Sequence, residues 1–327
     1  MYTILKRYGI DYFIIALGLM VLLAYWFPLF GTSKAWYAPA NVSVYGVAFI
    51  FFFYGLKLSP QQLKSGLSNI RLHIVVQLST FVLFPLIAFL LKPILSPINQ
   101  PLWEGIFFMA AIPSTVSSSV VMVGIAKGNI PGAIFNASIS SMLGLVITPL
   151  LVGLVLSSSN NAGMADIHSI IIKLLWQVVV PVIAGIILHP YWGKWVSKHL
   201  QALKYFDQLI ILLIVFTSFS ESFESGVFAQ TSLLLLVLLS IGLILLLGTV
   251  YRLIEWICRF LNFNREDTIT TIFCGSKKSL VHGMVFSKIL FPVNAAVGMM
   301  ILPLMLYHAI QLVVISMIAQ RKSKEVE

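Results

Sequence analysis

Residues 107–119 read Phe107-Phe108-Met109-Ala110-Ala111-Ile112-Pro113-Ser114-Thr115-Val116-Ser117-Ser118-Ser119, and residues 272–283 read Ile272-Phe273-Cys274-Gly275-Ser276-Lys277-Lys278-Ser279-Leu280-Val281-His282-Gly283. Both lie within apolar stretches long enough to cross a bilayer, so each is a polar interruption at mid-membrane depth. Pro113 removes a backbone donor and collides with the preceding turn. Ser114 is then placed to cap a second half-helix whose amide groups are directed into the protein. A purely structural reading stands beside it: a proline-kinked helix whose serines permit close packing or bond back to their own carbonyls. In the second stretch, each mid-membrane lysine costs roughly 2.5 to 3.5 kcal/mol on the insertion scale. Adjacent helical residues point about 100° apart, so Lys277 and Lys278 cannot share one lipid-shielded direction on a continuous helix. Unwinding at Gly275 resolves this by lining a cavity; the alternative is a lysine pair that snorkels to a nearby surface. A half-helix starting at Ser276 sets both lysines beside the positive end of its dipole, which is unfavourable alone and favourable with an anion present. The other reading is an ammonium that replaces a bound cation by donating to carbonyl oxygens freed by the break. Both readings stand at this level.

Outward from these stretches, 59% of the 327 residues are hydrophobic and 10% charged, which excludes a soluble domain. Ten apolar stretches run over about 11–29, 42–57, 73–96, 102–126, 131–157, 167–190, 207–227, 231–262, 267–290 and 294–320. The chain is therefore read as an all-α polytopic membrane protein with ten transmembrane helices. Placing the termini and alternate loops on one side collects fifteen of the 21 Lys and Arg there. By the positive-inside rule both termini are cytoplasmic, and the net charge of +10 needs no nucleic-acid partner. Two cysteines, Cys258 and Cys274, exclude a disulfide scaffold. The polar connection Ser157-Ser158-Ser159-Asn160-Asn161 divides a five-helix half at 11–157 from another at 167–320. Because five is odd, two similar halves lie in the membrane with opposite orientation, as in many secondary transporters. The prolines in Thr148-Pro149-Leu150 and Leu302-Pro303-Leu304 echo one another in the fifth span of each half.

Four segments in order, Pro113 to Val120, Ala133-Ile134-Phe135-Asn136, Phe273 to Leu280, and Pro303 to His308 with Gln311, resemble the bile acid:sodium symporter superfamily, most closely its cotransporter 7-like branch. The resemblance implies one transmembrane transporter domain, 1–327, made of two five-helix inverted repeats with broken, crossing helices 4 and 9. It further implies a core of helices 3–5 and 8–10, a panel of helices 1, 2, 6 and 7, and alternating access by relative movement of the two. Sodium-dependent members carry Glu-x-Gly-x-Gln-Asn in the ninth span, where this chain has Phe273, Gly275, Lys277 and Lys278. Two ammonium groups in place of a carboxylate repel a sodium ion, so sodium coupling is not expected at that position. Ser118 and Ser119 stand where those members have Ser-Asn, and either Gln77 or Thr80 aligns with a family polar residue in span three.

Site candidates are Ser114, Thr115, Ser117, Ser118, Ser119, Asn136, Ser276, Lys277, Lys278 and Ser279, with Gln77, Glu221, His308 and Gln311 as accessories. Glu221 reads either as a solvated helix-end acid or as a group on the substrate path paired with a lysine. Asn136, His308 and Gln311 either face the crossover or bond neighbouring helices. His282 is a candidate for proton coupling or a packing residue. No Walker loop, zinc spacing or Gly-x-Ser-x-Gly elbow occurs, so no enzyme is expected. The expected function is secondary active transport of a small or amphipathic organic anion by alternating access, without a cofactor or bound metal, sodium or a proton being the candidate coupling ion. The competing class is a non-transporting membrane regulator of calcium homeostasis, the role associated with eukaryotic members of the branch. The expected location is the plasma membrane, or the inner membrane of a bacterium, with the lipid bilayer and the anion as partners.

Overall fold

The computed structural model describes residues 12–32, 39–57, 69–157, 176, 180–226, 228, 232–291 and 296–324. Helix α1 (Tyr12–Trp26), a short α2 (Pro28–Gly31) and α3 (Pro39–Lys57) come first. Next, α4 (Ile70–Leu78) runs through one π turn (Ser79–Leu83) into α5 (Phe84–Leu90), and a short α6 (Lys92–Leu95) follows. The first interrupted helix is α7 (Gln100–Ala111) plus α8 (Ser117–Ile125), before α9 (Ile130–Ser157). The rest comprises α10 (Val180–Lys198), α11 (Leu200–Glu224), α12 (Leu233–Phe260), the interrupted pair α13 (Arg265–Gly275) and α14 (Leu280–Leu290), and α15 (Val297–Lys324).

Every element among the described residues is helical, as a bilayer requires of a chain that must satisfy its backbone internally. Five runs, Ile70–Leu90, Ile130–Val155, Leu200–Glu224, Leu233–Phe260 and Val297–Lys324, are long and apolar enough to cross a membrane, so the chain is a polytopic membrane protein. One boundary departs from expectation. The sixth stretch, read as 167–190, lies largely outside the described residues in its first half, and the described helix α10 continues to Lys198. Tyr191, Trp192 and Trp195 make that extension a suitable interfacial helix, and α10 meets α11 at His199 without the longer loop. Of the connection 157–161, residues 158–161 are also outside the described set.

The helices pack in two groups. In one, α3 lies along α10 and α1 against α11. Gly55 and Gly185 permit the first contact: a Cβ at Gly55 would meet the Val182 carbonyl oxygen at 2.2 Å, and one at Gly185 the Phe52 carbonyl oxygen at 2.2 Å. In the other group, α7 packs on α15 and α13 packs on α4, α9 and α12. The Asp267 carboxylate ties this group together at one end, accepting from Asn69 Nδ2 at 2.6 Å and Asn129 Nδ2 at 2.8 Å. Those three residues stand at the starts of α13, α4 and α9, so one carboxylate fixes three helix ends. Helix α11 touches both groups, reaching α14 and α15 as well as α1 and α3, and the Gly298 amide donates to Ser222 Oγ at 2.8 Å.

Candidate functional site

The two interrupted helices meet at their breaks. Ile112 turns out of α7 with extended backbone (φ −75°, ψ 148°), and helix resumes only at Ser117. Ser114 is therefore not the cap of α8, contrary to the sequence expectation. Its amide donates to Ser140 Oγ at 3.0 Å, and its hydroxyl donates across to the Cys274 carbonyl at 2.5 Å. The Cys274 carbonyl needs that donor because the Lys278 amide, its partner in a continuous helix, donates instead to Gln311 Oε1 at 2.8 Å. Nor does the second half-helix begin at Ser276. Ser279 caps α14, its side chain accepting from the His282 amide, so both lysines precede the helix in the unwound segment. A backbone bond joins the two breaks, from the Ser279 amide to the Pro113 carbonyl at 3.0 Å.

Neighbouring side chains hold the second break open. Gln311 uses its amide as a pincer, accepting from the Lys278 amide and donating to the Lys278 carbonyl at 2.8 Å each. Tyr307 donates to the Ser276 carbonyl at 2.7 Å. On the first break, Thr148 Oγ1 donates to the Ala111 carbonyl at 2.7 Å.

The two lysines differ sharply although both are fully buried. Lys278 Nζ donates to three carbonyl oxygens, those of Ala110 at 2.6 Å, Thr80 at 2.8 Å and Ile112 at 3.0 Å, and stands 4.3 Å from the centroid of the Phe84 ring. Each acceptor is free for a local reason. Ala110 loses the Ser114 amide to Ser140, and Ile112 lies beyond the end of α7. In the π turn the Phe84 amide bonds to Ser79, and the next residue, Pro85, has no N–H to give Thr80. The ammonium also sits at the negative end of α7, where a cation is favoured. Carbonyl oxygens in this arrangement would ligate a metal cation; the ammonium takes all three, so the residues do not fit a sodium ion at this point. Lys277 Nζ, in contrast, has no acceptor among the described residues, and neither has the adjacent Ser276 Oγ. The arrangement therefore fixes the Lys278 amine among three carbonyls and leaves the Lys277 amine and the Ser276 hydroxyl buried without partners among the described residues.

The remaining candidates fall at varied distances from this point. Thr115, Ser118 and Ser119 form a hydroxyl chain, with Thr115 Oγ1 2.7 Å from Ser119 Oγ and accepting from Ser118 at 2.9 Å; Ser119 Oγ also reaches the Phe273 carbonyl at 3.4 Å. The side chain of Ser117 lies outside the described set. Asn136 donates to the Gly132 carbonyl at 3.0 Å and accepts from Gln77 Nε2 at 3.1 Å. His282 Nδ1 lies 2.9 Å from Ser279 Oγ, beside a residue of the second break, and His308 Nδ1 lies 2.9 Å from Nε2 of Gln311, which holds that break open. Glu221 is apart, near Lys288 in the last turn of α14, eight residues or about 12 Å along the helix from Leu280. Sequence reasoning missed the roles of Tyr307, Ser140, Thr148 and the Thr80 carbonyl. Pro85 carried the signal for the last of these.

The profile of the SBF-like CPA transporter family matches residues 11–324. Protein PA2026 of Pseudomonas aeruginosa is 42% identical over 97% of this chain and 94% of its own. The candidate symporter YfeH of Escherichia coli (strain K12) is 37% identical over 97% of this chain and 94% of its own. Sodium/bile acid cotransporter 7-B of Xenopus laevis is 31% identical over 94% of this chain and 90% of its own. The chain belongs to the SBF-like CPA transporter family, a family of transporters and not of enzymes.

Proposed function

We propose that this member of the family is a secondary transporter of a small or amphipathic organic anion, in which Lys278 stands in place of a sodium ion and Lys277 meets the anion. The observation that carries the reading is the contrast between the two ammonium groups: Lys278 holds three carbonyl oxygens at 2.6 to 3.0 Å, while Lys277 Nζ is buried without an acceptor among the described residues. A buried cation without a partner is costly, and an anionic substrate removes that cost on binding. Ser276 adds a hydroxyl donor beside it, and the hydroxyl chain of Thr115, Ser118 and Ser119 adjoins the same crossing.

The architecture of this reading is ten transmembrane helices in two inverted repeats, 11–157 and 167–320, broken at matching positions by α7/α8 and α13/α14. The panel would be α1, α3, α10 and α11, and the core the remaining long helices. Packing in two groups bridged by α11 supports movement of one group against the other. Clustering of basic residues supports cytoplasmic termini, in the plasma membrane or, in a bacterium, the inner membrane.

The test combines stability and flux. The purified protein is unfolded thermally in sodium chloride and in choline chloride at equal ionic strength, and uptake of a bile acid and of short-chain carboxylates is followed in liposomes with and without sodium. Equal unfolding temperatures are expected, since a sodium site filled at 100 times its Kd would add about 2.7 kcal/mol. A sodium-dependent rise in stability overturns the substitution of Lys278 for the ion. Uptake lost in Lys277→Met supports the anion reading. Failure of every anion to enter liposomes favours the membrane-regulator class instead.

A further inference from the structure

Away from the crossover, a groove of about 450 Å³ runs between α12 and α15. Both helices end at the same side of the protein, and the groove changes character along them. Leu247 and Gly248 on α12 and Val314 and Ile318 on α15 make an apolar floor, while Arg252, Arg321 and Lys322 gather at the end, with the Glu255 carboxylate among them. The lining carries these three cations against one carboxylate, Glu255, which lies 3.1 Å from Arg252 and 3.2 Å from Arg259, so its end has an excess of basic groups. The lining spans Ile244 to Glu255 along α12, eleven helical steps or about 16 Å. That is about half of a hydrocarbon core of roughly 30 Å, the depth of one leaflet. Leu245 and Trp256, beside the groove on α12, are 64% and 65% exposed and face the same surroundings.

We infer that this groove binds an anionic phospholipid of the leaflet at the basic ends, with one acyl chain on the apolar floor and the headgroup phosphate among Arg252, Arg321 and Lys322. The charge at one end and an apolar wall, Ile244 to Tyr251, that stops within one leaflet select this occupant, since a packed protein helix would need neither the cations nor that cut-off in depth. Gly248 lets the chain approach: a Cβ added there meets nothing within 4 Å, so the space over it is open. The Arg265 guanidinium steadies the basic end by donating to the Lys322 carbonyl at 2.5 Å. This site is separate from the crossover and does not depend on the transport reading.

The experiment offers phosphatidylglycerol or phosphatidylcholine to the intact protein in detergent, counting retained lipid by native mass spectrometry and following thermal unfolding. Wild type is expected to retain phosphatidylglycerol in preference and to unfold several degrees higher with it. Removing two cations in Arg321→Gln/Lys322→Gln is expected to weaken phosphatidylglycerol binding roughly twenty-five-fold. Gly248→Leu is expected to remove the preference by filling the groove while unfolding without lipid at the wild-type temperature or above, because it replaces a helix-interior glycine in open space. Equal retention of the two lipids by wild type overturns the site, as does a preference that survives in both variants. Should the double variant fail to fold, the wild-type comparison and Gly248→Leu still decide.

Discussion

The break at Pro113–Val116 and the break at Ser276–Ser279 sit against one another and are maintained by different means. At the first, a proline opens the helix and neutral hydroxyls from α9 take up the freed groups, Ser140 on the Ser114 amide and Thr148 on the Ala111 carbonyl. At the second, no proline intervenes. Gln311 and Tyr307 from α15 hold the backbone apart, and the lysine within the break returns its ammonium to the carbonyls of α7 and the π turn. Neighbours hold both breaks, but only the first also carries within its own residues a group, Pro113, that cannot continue the helix. A segment of the second kind can be rearranged when those neighbours move.

Substitutions test this contrast in order of size. Lys278→Met strands three buried carbonyls, each worth about 1 to 3 kcal/mol when unsatisfied, so a stability loss of about 3 kcal/mol or more is expected in thermal unfolding. Lys277→Met should unfold at the wild-type temperature or above it, because its ammonium makes no hydrogen bond among the described residues; equal destabilisation by both would break the distinction between the lysines. Gln311→Leu removes both arms of the pincer and is expected to cost about 2 kcal/mol. Tyr307→Phe deletes one bond to the Ser276 carbonyl, and about 1 kcal/mol should be measured. Pro113→Ala should change least, about 0.5 kcal/mol, because Ser140, Thr148 and the Ser279 amide still hold the opened backbone. A loss larger than that of Gln311→Leu would mean that proline alone maintains the first break.

Both interruptions were legible in the sequence, since a mid-membrane proline and a mid-membrane lysine pair each conflict with a continuous lipid-exposed helix. Their detailed starts were not, because Ser114 and Ser276 look like caps until the competing acceptor Cys274 and the donor Tyr307 arrive from other helices. Nor could the two lysines be told apart. They are consecutive, and what separates them is a set of backbone oxygens 166 to 198 residues away. Backbone acceptors leave no mark in composition, but Pro85 and Pro113 do, each withholding an N–H near a carbonyl that Lys278 or its neighbours then use. Glu221 was legible only as an acid near a helix end, and its place beside Lys288 depends on how α11 meets α14.

An ion that enters from solution has a concentration on each side of the membrane, and the difference between the two can be converted into work. The ammonium of Lys278 is joined to the chain by covalent bonds and has no concentration on either side. It can organise the same oxygens as a diffusible ion, but it has no gradient to descend and is not consumed from one turnover to the next. On the proposed reading, a carrier built around such a permanent guest lets an anionic cargo run toward equal electrochemical potential across the bilayer, and any accumulation beyond that must draw on a different store of free energy.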